Sequence, residues 1–140
     1  MANYYAKTRT NYFAVTDEAK LKGIMENADP EATLHSENID GKTKYMFYCD
    51  GSFGGYPVYD EDGDVCEGDF DSFAKDIQNI LPADEAVIIK EIGSEKFRYL
   101  SAYCTIITKD KIETIDLDVC AEKFVRELLK DEKWSTRMDY

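Results

Sequence analysis

Residues 85–117, "EAVIIKEIGSEKFRYLSAYCTIITKDKIETIDL", decide the fold. The stretch is rich in isoleucine, threonine and tyrosine, which suit a pleated surface. Only the polar pairs Ser94-Glu95 and Lys109-Asp110 break it. It reads as three strands joined by short turns, an antiparallel meander. In the middle strand Leu100, Ala102, Cys104 and Ile106 fall on one side by period two, and that side is expected to face the core. Tyr99, Tyr103 and Ile107, with Phe97 nearby, fall on the other side, which is therefore partly apolar too. Either the C-terminal helix and Trp134 cover it or another chain does, and self-coverage is the expectation, because single-domain chains usually bury such patches internally.

The upstream chain repeats this theme in shorter pieces. "TNYFAV" (10–15) is a β-prone run, after which Thr16 is placed to cap a helix. Asp17 and Glu18 stand in its first turn, where the helix dipole favours acids. Leu21, Ile24 and Met25 share one face of that helix, and Asp29-Pro30 ends it. Residues 32–37 and 42–49 flank "NIDG" (38–41), whose Asp-Gly pair tolerates the positive φ of a tight hairpin. Tyr45, Phe47 and Cys49 then share a face.

A second helix opens at Asp69 or Asp71, repeats Phe70, Phe73, Ile77, Ile80 and Leu81 at helical spacing, and stops at Pro82. The last helix starts near Asp116 or Asp118 and is expected to bury Leu117, Ala121, Phe124 and Leu128. A polar tail, residues 131–140, follows. The expected fold is α+β over one domain, residues 1–140: an antiparallel sheet of hairpins and a meander, with about three helices packed on one face. A chain of 140 residues can bury such a core without disulfide or metal staples.

The net charge of −12 argues against direct contact with nucleic acid or an anionic membrane, and favours basic partners. The longest strongly apolar run, Ala86–Ile89, is far short of the roughly 20 residues of a membrane helix. "MANYYAKTRTNYF" is polar and aromatic rather than leader-like, so a cytoplasmic location is expected. Cys49, Cys66, Cys104 and Cys120 form no C-x-x-C pair and read as free, mostly buried thiols rather than zinc ligands. No cofactor and no metal is expected.

One stretch departs from average composition. "YDEDGDVCEGDFDSF" (59–73) holds seven carboxylates and no base, and from Tyr45 to Ala74 there are eight acids and no lysine or arginine. An EF-hand started at Asp60 would place Asp62 and Asp64 at its third and fifth positions, but Val65 stands where the glycine belongs and Asp71 where the glutamate belongs. Paired catalytic carboxylates need an apolar pocket to separate their pKa values, and none is in view. The single histidine, His35, alternates with Leu34 and points outward from a strand; no nucleophile or phosphate-loop motif accompanies it. A solubility surface intersperses both signs of charge. Segregated acids instead make a directional field that steers a basic partner.

The stretches "NYYAKTRTNYFAVTDEAKL" and "AVIIKEIGSEKFRYLSAYCTIIT" and the ending "WSTRMDY" resemble those of small acidic proteins carried by phages and conjugative elements of Gram-positive gut bacteria. The resemblance spans most of the chain and is weakest in the acidic middle. Its motifs are strand and turn residues, so no catalytic residue carries over. It implies a setting in which acidic proteins block restriction or CRISPR nucleases.

The expected function is therefore non-enzymatic: an anti-defence protein, anti-CRISPR or antirestriction, that imitates nucleic acid and occupies the basic groove of a host nuclease. Asp60, Glu61, Asp62, Asp64, Glu67, Asp69 and Asp71 would supply the charge, and Tyr56 and Tyr59 the aromatic anchors. The alternative is an accessory structural or regulatory protein of a mobile element, acting through protein–protein contacts. A monomer or weak homodimer is expected in either case.

Overall fold

In a computed structural model, which describes residues 4–137, eleven elements follow one another along the chain. The first half contains β1 (Tyr5–Thr10), α1 (Glu18–Glu26), β2 (Ala32–Ile39), β3 (Lys42–Cys49), β4 (Tyr56–Tyr59) and β5 (Val65–Asp69). The second contains α2 (Phe70–Gln78), β6 (Ala86–Glu95), β7 (Tyr99–Thr108), β8 (Ile112–Asp116) and α3 (Leu117–Leu129). Six strands form one antiparallel sheet in the order β2-β3-β1-β6-β7-β8, and β4 and β5 form a separate two-stranded sheet. The architecture is α+β.

The expected meander is present as β6–β8, with Val87 opposite Ile107 and Cys104 opposite Ile115. The β2–β3 hairpin turns on Asp40 (φ 53°) and Gly41 (φ 82°), the paired positive φ values that match the twist of the flanking strands. The strand that joins hairpin to meander is β1, which pairs with β6 along its whole length and with β3 through Thr8–Cys49 and Arg9–Tyr48. It lies five residues before the expected start at Thr10. The inward side chains of "YAKTRT", Ala6, Thr8 and Thr10, are small or polar yet buried, and the two threonine hydroxyls donate to the Gly51 and Asn11 carbonyls. Phe13 bridges only to Tyr45, and its ring is fully buried as the chain crosses into the core.

Three aspartates cap the three helices: Asp17 accepts from the Lys20 amide, Asp69 from Ser72 and Asp116 from Val119. Thr16 is not the cap expected for α1. Its amide and hydroxyl both donate to the Ile80 carbonyl, tying the start of α1 to the end of α2. Leu21 of α1 and Phe73, Ala74 and Ile77 of α2 close one side of the sheet over Phe47, Val87 and Ile107. No α3 residue belongs to this core.

The side of β7 that faces the core is the reverse of the one expected. Thr105 and Ile107 are buried, while Leu100 is exposed and Cys104 only half-buried. Both sides of β7 are apolar, so its own pattern cannot choose; its neighbours do, because Ile107 registers with Val87 beneath α2. The expected burial of Leu117, Ala121, Phe124 and Leu128 is also overturned. All four are exposed, and α3 touches β7 and β8 without sealing its apolar stripe.

Candidate functional site

The acidic stretch folds as the β4–β5 hairpin and the first turn of α2. This is strand–turn–strand, unlike the helix–loop–helix of an EF-hand. Its root is fixed in two ways. Phe47, Phe53, Phe70, Phe73 and Tyr56 form a chain of aromatic contacts, with Phe53 and Phe73 centroids 4.9 Å apart and Tyr56 edge-on to Phe73 at 5.7 Å. The 54–55 segment also presses on the hairpin's second strand: a Cβ on Gly68 would stand 2.2 Å from the Gly54 carbonyl oxygen, and one on Gly55 2.8 Å from Phe70 Cα. Glycine at both positions is what permits the contact.

The nine residues singled out in the sequence divide into two groups. Asp60, Asp69 and Tyr56 build the fold. Asp60 Oδ1 accepts from the amides of Asp62 and Asp64 at 2.9 and 3.0 Å, and its own amide donates to the Asp64 carbonyl. These bonds close the turn, where Gly63 takes φ +83°. Hydrogen bonding from the Ser72 hydroxyl first, and then from its amide, holds the Asp69 carboxyl below the usual carboxylate range. Tyr56 is half-buried and donates to Asp76 Oδ2 at 2.5 Å; burial first, then that bond, pushes its hydroxyl pKa far up.

The second group, Glu61, Asp62, Asp64, Glu67, Asp71 and Tyr59, is exposed. Among the described residues none of these acids has a lysine or arginine within ion-pair distance. Nor does any trio of His, Cys, Asp and Glu converge on a point suited to a metal ion among the described residues. The carboxylates are spread along the arm rather than gathered around a centre. Glu67 registers with Val58, and Asp69 with Tyr56.

Two features escaped the sequence reading. On the side of the sheet away from α1 and α2, Arg9 lies directly opposite both Lys90 and Tyr48, and with Lys7 they line a hollow of about 470 Å³. Three bases thus collect on the open side of an acidic chain, one of them, Lys7, paired with Asp50 of the same lining at 2.6 Å. The period-two placement of Lys7 and Arg9 was available as a signal, but only once β1 is recognised as a strand. Next to this patch is an apolar groove of about 890 Å³, bordered by Ile92, Phe97, Leu100, Ala102 and Leu117. The doubly apolar pattern of β7 pointed to it.

A buried polar cluster lies on the closed side of the sheet, on the face of β6 that also carries Val87 and Ile89. Glu91, 4% exposed, accepts from Tyr4 at 3.1 Å and from Tyr103, whose hydroxyl pKa is raised by burial first and by Glu91 second. Tyr4 reaches it across Gly93, where a Cβ would meet the tyrosine ring. The cluster is satisfied and joins β1, β6 and β7; it holds no free nucleophile.

Fold and site together define a small α+β protein with a preformed acidic arm. Comparison of the chain with protein families, curated proteins and solved structures gives no match. No helix among the described residues is long and apolar enough to cross a membrane.

Proposed function

We propose that this chain is a non-enzymatic inhibitor of nucleic-acid-directed defence, which seats its acidic arm in the basic groove of a host nuclease in place of DNA or RNA. The observation that carries this reading is the pairing of exposed carboxylates at Glu61, Asp62, Asp64 and Glu67, which have no ion-pair partner among the described residues, with a root fixed by glycine contact and aromatic packing. A preformed arm loses little conformational entropy on docking. Its unneutralised charge steers a basic partner and raises the rate of encounter. The resemblance to acidic proteins of mobile elements supplies the setting.

A second reading, an accessory protein of a mobile element that works through protein–protein contacts, is favoured by the open apolar groove beside α3.

The test is displacement of labelled DNA from a purified Cas9-type effector or restriction nuclease. The wild-type chain is expected to displace it, steeply less well as salt rises. Charge reversal at Glu61, Asp62, Asp64 and Glu67 to lysine removes displacement with the far-UV spectrum unchanged, because Asp60 and its turn bonds are retained. Single alanines at these positions each slow association modestly. Undiminished displacement by the four-lysine variant overturns the reading.

A further inference from the structure

We infer that α3 is a self-association surface and that its occupant is a second copy of this chain, packed antiparallel across a two-fold axis. This surface is independent of the acidic arm.

The helix is well made, yet none of its residues is fully buried. Asp116 caps its start at 3.1 Å, Arg126 pairs with Glu122 one turn earlier and also donates to the Trp134 carbonyl, and Lys130 closes its end in the left-handed conformation. Its apolar stripe is Leu117, Ala121, Phe124 and Leu128, spaced four, three and four residues apart. That is the narrow seam of a coiled coil, which packs on another such seam. It stands open to solvent: Phe124 is 64% exposed and Leu128 81%.

Antiparallel pairing about the midpoint between Glu122 and Lys123 sets Leu117 against the partner's Leu128 and Ala121 against the partner's Phe124. The small residue of one copy then receives the large residue of the other, as a packed core requires. Flanking the seam, Asp118 faces the partner's Val125 and Cys120 faces the partner's Glu127, so no like charges meet.

Charge and area agree with this occupant. The whole chain carries −12, which repels copies of itself, but α3 and its cap residue Lys130 hold three acids (Asp118, Glu122, Glu127) and three bases (Lys123, Arg126, Lys130). Two copies can meet here on neutral ground while their acidic arms remain free. With Ile92, Phe97 and Leu100 of the neighbouring groove, the open apolar side chains total on the order of 800 Å², the share each partner contributes to a standard interface. Monomers rarely leave such a patch uncovered.

Sedimentation equilibrium of the full chain at tens of micromolar tests the inference. A dimer is expected, and Leu128→Glu weakens it by a factor on the order of 100 by placing a charge in the seam. The four-lysine variant of the arm leaves it dimeric. Register is read by Glu127→Cys in a Cys66→Ser background. Mild oxidation joins the introduced thiol to the partner's Cys120, since the two positions in one helix are about 10 Å apart along its axis and too far to bridge. A wild-type monomer, as when a different protein is the occupant, overturns the inference. So does a dimer indifferent to Leu128→Glu, or one that forms no interchain disulfide.

Discussion

On one side of the six-stranded sheet Phe47, Phe73, Leu21 and Ile107 are sealed from water, while on the other Ile92, Phe97 and Leu100 stand open, although β7 supplies both sides with comparable side chains. The difference lies in what reaches each side. Above the first, α1 and α2 deliver a leucine, a phenylalanine and an isoleucine into gaps between strands, and the Ile80 carbonyl ties the two helices together. Over the second neither α1 nor α2 closes, and the apolar stripe of α3, which touches β7 and β8, remains exposed. Apolar content therefore does not choose the core side of a sheet. The number of elements able to close over it does.

The largest expected effect tests this contrast with one residue type. Phe73 is fully buried among four aromatic rings, so Phe73→Ala is expected to cost about 3–5 kcal/mol and to leave the chain near its unfolding threshold. Within a single chain Phe97 is 78% exposed, and Phe97→Ala, measured at a dilution where the chains are separate, is expected to change stability by under about 0.5 kcal/mol. Urea titrations of the two variants would break the contrast if their midpoints moved alike. Next comes Gly68→Ala, whose Cβ would stand 2.2 Å from the Gly54 oxygen; prising these backbones apart should cost about 1–3 kcal/mol. Gly23→Ala, with open space at its Cβ on α1, should be neutral or stabilising in the same assay.

The sealed side should also respond to alkali. Burial first, and then its bond to Glu18, pushes the Tyr45 hydroxyl up to about 12 from its ordinary 10, and burial first, then nearby acids, pushes the Cys49 thiol up to about 11 from its ordinary 9. The unfolded chain thus loses these protons at lower pH than the fold does. Their contribution to stability is complete below pH 9, begins to fall as the unfolded thiol ionises and drains as pH rises through about 12. Melting temperatures at successive pH values should decline over that window, and Cys49→Ala should remove the lower part of it. A flat profile to pH 11 would show that neither group is held as described.

The smallest effects concern thiol access. Cys66 on the exposed arm should react with a disulfide reagent first, the half-buried Cys104 and Cys120 more slowly, and Cys49 last. Labelling of Cys49 ahead of Cys66 would place the closed side of the sheet wrongly.

Much of the fold was legible because local and long-range demands coincide. Asp40-Gly41, the Asp69 and Asp116 caps, and the alternation of Tyr45, Phe47 and Cys49 each point to the element found. Reading failed where one residue set satisfies two arrangements. The strand "YAKTRT" is hidden because its inward threonines are polar, and their hydroxyls find partners far along the chain: Thr8 donates to the Gly51 carbonyl, and Thr10 accepts from the Phe47 amide. The stripe of α3 is equally suited to a sheet and to another helix, so spacing alone could not place it. In the acidic stretch the charge was evident, but which acids are committed to the turn and the cap depends on hydrogen bonds that composition does not encode.

The contact between Gly54 and Gly68 separates two kinds of sequence freedom. Everything that fixes the arm lies at its root, in two glycines and a set of rings; the tip needs only Asp60 and a residue tolerant of positive φ at 63. The positions between can be exchanged without reshaping what supports them. Such a scaffold can be retargeted: new side chains at 61, 62, 64 and 67 would present a different face to a different partner, while the root goes on holding them at the same height and angle.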